Sequence, residues 1–287
     1  MSLRLGAHRA TTGGLHQALL SADAIGAQVV QVFTSSPMQW QPRPLDPAAL
    51  ALWHETRAEA SVELAVAHDS YLINLAATDE AVHAKSRHAF AEELRRCQAL
   101  GIPYLVTHPG AHTGAGEEAG LRLFAQTLRA LYDAQPELET ITLLETTAGQ
   151  GSCLGYTFEQ IADLLAQIDL PERLAVCLDT CHVFAAGYDV RTADGVAAML
   201  DAFDRVIGLD RLRVIHLNDS KNPLGSRVDR HERIGRGTTG DACFAALLRD
   251  PRLADVPMLV ETPGLEHHEE ELRHLRQLAL GAEHESS

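Results

Sequence analysis

Histidine and carboxylate side chains recur along this chain at positions suited to holding divalent cations. His68 with Asp69, His108, Glu145, Asp179, His216 with Asn218 and Asp219, and Glu261 each stand at or just after the end of a short apolar segment. His8 and Thr34 take the matching places after two further segments. Asp179-x-x-His182 and Asp229-x-His231 add two local pairs with chelating spacing. Imidazole and carboxylate, with no thiolate required, suit Zn, Mn, Fe or Co. One such histidine would be an ordinary satisfied polar group. A gathering of them would cost on the order of several kcal/mol for each unpartnered charge, and divalent cations remove that cost. The chemistry such cations supply is that of a Lewis acid, which acidifies bound water and polarises the oxygens of a substrate.

These residues need elements to position them. Segments rich in Val, Ile and Leu lie at 3–8, 29–34, 64–69, 104–108, 140–146, 174–179, 212–217 and 257–262. Between them run Ala/Leu-rich stretches with helical spacing, such as 79–100, 117–134, 157–168 and 192–207. Near-continuous apolar strands alternating with helices make a parallel sheet covered by helices. Eight such units without a composition break predict a single (β/α)8 TIM barrel over 1–280, with 281–287 a disordered tail. The 287-residue length fits that fold, for which about 250 residues is typical. The rival is an open doubly wound sheet. Its glycine fingerprint is missing after the first segment, which continues His8-Arg9-Ala10-Thr11-Thr12-Gly13-Gly14. In a closed barrel the C-terminal strand ends converge on one face, so residues far apart in sequence meet there.

Composition narrows the function class. The net charge of −15 argues against a passive nucleic-acid binder, while 15 histidines fit a metal protein. A cation cluster would supply positive charge that the formal count does not show. No apolar run reaches the roughly 18 residues of a membrane span. The opening MSLRLGAHRA lacks the apolar stretch of a signal peptide. Five cysteines without C-x-x-C spacing suggest reduced, mostly buried thiols in a cytoplasmic protein, with Cys177 and Cys181 in the core or backing the site. The stretch 218–237, NDSKNPLGSRVDRHERIGRG, reads as a long functional loop with a basic cluster at Lys221, Arg227, Arg230, Arg233 and Arg236.

Several longer motifs occur in order: GAH at 6–8, HDSYLINLA at 68–76, HPGAH at 108–112, LLETTAGQGSCLG at 143–155, CLDTCHVFAAGYD at 177–189, HLNDSKNPLGSRVDRHERIGRG at 216–237 and LVETP at 259–263. Through them the chain resembles the bacterial endonuclease IV family, zinc-dependent apurinic/apyrimidinic endonucleases, from about residue 3 to 275. The resemblance implies three Zn2+ per chain, with Mn2+ or Fe2+ an alternative at one position. His68, His108 and Glu145 would hold one ion. Glu145 would bridge to a second, held with Asp179, His216 and Glu261, and His182, Asp229 and His231 would hold the third. Glu145, as the bridging ligand, and Glu261 are the expected catalytic residues.

The implied substrate is double-stranded DNA containing an abasic site. Water activated between the first two ions would attack the phosphorus 5′ to that site, and the third ion would steady the departing 3′ oxygen. The products would be a 3′-hydroxyl and a 5′-deoxyribose phosphate, and 3′-end repair phosphodiesterase activity would accompany this. Tyr71 and Leu72 match the residues that enter the base stack, and Arg227 and Arg230 would contact phosphates. Gln39 would touch the minor groove. Met38 stands where the family commonly carries Arg, so it could pack but not bond to a phosphate or base edge. No membrane and no obligate protein partner are expected; the enzyme would act in the cytoplasm, at the nucleoid, as a monomer. Two alternatives remain. A metal-dependent sugar isomerase or epimerase on the same barrel would need one or two metals. A metal-stabilised binding protein would show no turnover.

Overall fold

The computed structural model describes residues 3–41 and 43–281. Ten strands are present among them: β1 (Leu5–His8), β2 (Val29–Phe33), β3 (Leu64–His68), β4 (Tyr104–Thr107), β5 (Ile141–Glu145), β6 (Leu174–Asp179), β7 (Leu212–His216), β8 (Asp219–Ser220), β9 (His231–Glu232) and β10 (Met258–Val260). Eight of them close into a parallel barrel in the order β1-β10-β7-β6-β5-β4-β3-β2. The helices are α1 (Leu15–Ala24), α2 (Pro47–Glu59), α3 (Glu80–Leu100), α4 (Glu117–Asp133), α5 (Phe158–Ile168), α6 (Thr180–Ala186), α7 (Ala193–Val206), α8 (Asp241–Arg249) and α9 (His268–Leu280). Side chains of Asp46, Asp79, Thr157 and Thr192 accept from backbone amides at the starts of α2, α3, α5 and α7, supplying acceptors that a helix start otherwise lacks.

The strand period of two divides the core in two. Val29, Val66, Val106, Leu143, Ala175, Cys177, Val214 and Leu259 fill the barrel interior. Their neighbours, among them Ala65, Ala67, Leu105, Leu144, Val176, Ile215 and Val260, point outward under the helices. Two residues beyond this apolar plug, the same inward parity delivers Gln31, His68, His108, Glu145, Asp179, His216 and Glu261. The plug is thus the floor of a polar layer at the C-terminal mouth.

Two expectations need correction, and one element is added. The second strand ends at Phe33, and Thr34 does not face the barrel. Its hydroxyl donates to Glu93 of α3 and accepts from Arg96 Nε at 2.9 Å, because the chain has already left the sheet. The stretch 218–237 is not structureless, since β8 and β9 pair antiparallel within it. The short helix α6, unpredicted as an element, starts directly after β6 with Asp179 as its cap. Of the tail expected at 281–287, Gly281 closes α9 at φ 80°, and 282–287 lie outside the described residues. Among the described residues no helix is long and apolar enough to cross a membrane. All five cysteines are free, and Cys97, Cys177, Cys181 and Cys243 are buried.

Candidate metal centre

Glu145, fully buried at the end of β5, stands at the centre of the mouth. Its Oε2 lies 3.1 Å from His68 Nε2 and 3.0 Å from His108 Nε2. Its Oε1 lies 2.9 Å from His216 Nδ1 and 3.5 Å from His182 Nδ1. One carboxylate therefore meets imidazoles from the ends of β3, β4 and β7 and from α6. Around it the potential ligand atoms fall into thiol-free sets lying within 4.8 Å of one another: His68–His108–Glu145, Glu145–Asp179–His216–Glu261, and His182–Asp229–His231; two overlapping groups, Glu145–Cys177–His216 and Asp179–Cys181–His231, include a buried thiol. All nine metal candidates of the sequence are brought together, and Glu145 belongs to two of the three thiol-free sets.

Their orientation is fixed from behind. His68 Nδ1 donates to the Asp69 carbonyl at 2.9 Å, and His182 Nδ1 donates to the Thr146 carbonyl at 2.8 Å. A carbonyl only accepts, so these nitrogens carry the proton and each Nε2 is left to face the centre. His182 Nε2 lies 3.2 Å from Asp229 Oδ2 and 3.5 Å from His231 Nε2. Asp179 uses Oδ1 to accept from the His182 amide at 2.9 Å, and its Oδ2 accepts from Asn218 Nδ2 at 2.6 Å. Asn218 Oδ1 accepts in turn from the Glu261 amide at 2.9 Å. Hydrogen bonds of this kind behind a ligand set its tautomer and raise its basicity in metal sites. Nitrogen and oxygen donors in closely spaced sets, with the outer faces of His68, His182 and Asp179 already bonded, fit divalent cations.

Charge reinforces the arrangement. Burial alone would raise Glu145, but His216, His108 and His182 outweigh it and hold the carboxyl well below its usual range. Burial would lower His68, yet the hydrogen bond and charge of Glu145, with Glu261 and Asp69, raise it to about 9. His182 and His216 are raised well above 6.5 against burial, the first by Asp179 and Asp229, the second by Glu261 and Glu145 with a hydrogen bond to Cys177. Asp229 is held below its usual range by His182 and His231 despite burial. Burial pushes the Cys177 and Cys181 thiols up to about 12, so they remain thiols, and Cys181 Sγ lies 3.7 Å from the Arg230 carbonyl.

A cavity of about 330 Å³ opens over the centre, with His8, Tyr71, Arg230, Glu261 and Leu265 in its wall. Tyr71 is 68% exposed at the rim, its ring 5.2 Å from Phe33. Leu72 beside it is half-buried, and its amide donates to Ser70 Oγ. Met38, also 68% exposed, and exposed Gln39 lie on the loop after β2. Ser70 Oγ donates to the Pro37 carbonyl at 2.7 Å, tying that loop to the one bearing Tyr71. Arg227 and Arg230 are exposed on the loop that carries Asp229 and His231. The Arg227 guanidinium lies 4.3 Å over the Tyr156 ring, and its backbone is left-handed at φ 52°.

The sequence reading missed Gln31. It is fully buried and touches His216, Glu261 and His8. The signal in the sequence is its parity with Val29, whereas the apolar segment itself runs on to Thr34.

The family model described as a xylose isomerase-like TIM barrel matches residues 19–278. A relative from Chloroflexus aurantiacus described as "Probable endonuclease 4" is 47% identical, over 98% of this chain and 99% of its own. A second, of the same description, from Geobacter sulfurreducens is 48% identical over 96% and 93%. The crystal structure of endonuclease IV from Thermus thermophilus superposes with a TM-score of 0.85 at 39% identity, covering 97% of this chain and all of that one.

Proposed function

Because this chain belongs to the endonuclease IV family, we propose that it is a DNA-repair endonuclease that holds three zinc ions and cuts the phosphodiester 5′ to an abasic site. The products would be a 3′-hydroxyl and a 5′-deoxyribose phosphate, and 3′-end repair phosphodiesterase activity would go with them. The observation that carries this reading is the division of the potential ligand atoms into closely spaced sets that share Glu145. His68, His108 and Glu145 would hold one ion; Glu145, Asp179, His216 and Glu261 a second; His182, Asp229 and His231 the third, with Mn2+ or Fe2+ an alternative at one position. Bound zinc would supply Lewis-acid neutralisation of phosphate charge and acidify water at neutral pH.

The chain's own groups do the rest. Glu145 belongs to two sets and fixes their spacing, and Glu261 turns its carboxylate into the cavity wall; these two are assigned the catalytic roles. Tyr71 and Leu72 enter the duplex, where a missing base makes unstacking least costly. Met38 packs beside them, and Gln39 reaches the minor groove. Arg227 and Arg230 meet phosphates, so binding weakens as salt rises. A sugar isomerase on this barrel has no need of a third set, which disfavours that alternative.

The test is zinc content of the purified protein together with cleavage of a duplex bearing one abasic site. Close to three zincs per chain, a single nick 5′ to the lesion, and loss of activity in chelator with recovery on adding zinc are expected. A Glu145→Ala enzyme with full zinc and near-full activity would sink the assignment.

A further inference from the structure

Gln31 lies on β2 in register with His8 of β1 and Val66 of β3. Its side chain is fully buried, and both ends of the amide are in use. Nε2 donates to Glu261 Oε1 and lies 3.3 Å from His8 Nδ1. Oε1 lies 2.8 Å from His216 Nε2. The two partners decide which end is which. A carboxylate oxygen accepts a hydrogen bond and cannot give one, so the amide group faces Glu261 and the carbonyl faces His216. The Gln31 carbonyl only accepts, so His216 Nε2 must carry the proton. His216 Nδ1 donates to the carboxylates, lying 2.9 Å from both Glu145 Oε1 and Glu261 Oε2; with Nε2 held as the donor to Gln31, Nδ1 is the nitrogen that would give up its proton and turn its lone pair to a bound cation. On the other side, His8 Nδ1 must accept from Gln31, which keeps this nitrogen from donating to Glu261.

We infer that Gln31 is a positioning residue, whose single amide sets the tautomer of His216 and the rotamer of Glu261 and so shapes the Glu145–Asp179–His216–Glu261 ligand set. The other histidines are oriented differently: His68 and His182 lean on backbone carbonyls, which no substitution removes. His216 leans on a side chain and is open to change by mutation. The inference rests on the proposed zinc enzyme, and it assigns Gln31 to one ion among three.

The test compares the wild-type enzyme with Gln31→Met and Gln31→Glu, all purified with zinc. Methionine keeps the length and removes both hydrogen bonds. Glutamate keeps an acceptor for His216 but sets a second carboxylate against Glu261. Chelator competition should show one zinc of three weakened about 10- to 100-fold in Gln31→Met, and Gln31→Glu should recover part of that affinity. With cadmium in place of zinc, nuclear magnetic resonance should show one metal resonance of three shifted in either variant. If Gln31→Met fails to fold, the cadmium spectrum of Gln31→Glu carries the test. Unchanged affinities, or equal weakening of all three ions, would overturn the inference alone, provided the wild type holds three zincs and nicks the abasic duplex. A wild type that does neither overturns the proposed function and this inference with it.

Discussion

Gly237 donates its amide to Asp219 Oδ2 at 3.0 Å. The same carboxylate accepts from the Ser220 and Thr239 amides at 2.8 and 2.9 Å. This clasp closes the base of the loop that carries Asp229 and His231. Gly237 fits because it has no side chain: a Cβ there would meet the Ser220 carbonyl at 2.4 Å and Asp219 Oδ1 at 2.5 Å. Loss of a buried acceptor leaves its donors unsatisfied at about 1–3 kcal/mol each. Asp219→Ala and Gly237→Ala are therefore expected to bind two zincs per chain rather than three, the ion of His182, Asp229 and His231 being lost. Metal analysis checks this, and a variant retaining all three would refute the role of the clasp.

Zinc affinity should depend on pH in a defined direction. His68 is raised from 6.5 to about 9, and ligation requires it neutral. Affinity for the ion of His68, His108 and Glu145 should rise with pH up to about 9 and fall below it, with protons released on binding. The chelator-treated protein should behave oppositely. A raised histidine contributes stability that is complete below 6.5 and lost as pH climbs through about 9. Glu145, held well below 4.5, contributes stability that is present above 4.5 and lost on further acidification. The site's part of the apoprotein melting temperature should thus peak between these limits. A zinc-induced shift in melting temperature that shrinks from pH 6 to pH 9 would contradict this.

Met38→Arg places a cation on an exposed loop tied to the Tyr71 loop through Ser70. Affinity for the abasic duplex should increase, and the slope of log affinity against log salt should steepen by about one unit, as for one added phosphate contact. Binding isotherms at several salt concentrations measure it; an unchanged slope would mean that Met38 does not approach the backbone.

Tyr71→Ala removes an exposed ring whose aromatic neighbours are Phe33, edge-on at 5.2 Å, and His68, tilted at 6.4 Å. Stability should change by less than about 0.5 kcal/mol. Affinity for the abasic duplex should fall by about 1–3 kcal/mol, the scale of one base–aromatic stack. Wild-type affinity in the variant would remove Tyr71 from the DNA interface.

Six of the metal candidates were legible because they sit at or just past a strand end, where alternation continues the inward side of the barrel. Val66 leads to His68, Leu143 to Glu145 and Val214 to His216. Asp229 and His231 carried no such periodic signal, and the length of their loop drew attention to them. Thr34 was misjudged because apolar character runs through Phe33 and does not say where the strand leaves the sheet. That point is set by pairing with β3, whose register ends at Phe33 opposite His68.

The order of amino acids by itself determined the eight-fold alternation of strand and helix and the strand-end candidates His68, His108, Glu145, Asp179, His216 and Glu261, because period-two patterning is a property of neighbours along the chain. Only the tertiary structure decided which nitrogen of each histidine faces the centre, and that Gln31 rather than Thr34 closes the site from the second strand. Those outcomes depend on groups remote in sequence, such as Gln31 and Glu261, 230 residues apart. Closure of the barrel between β1 and β10 is what brings such groups within hydrogen-bonding distance.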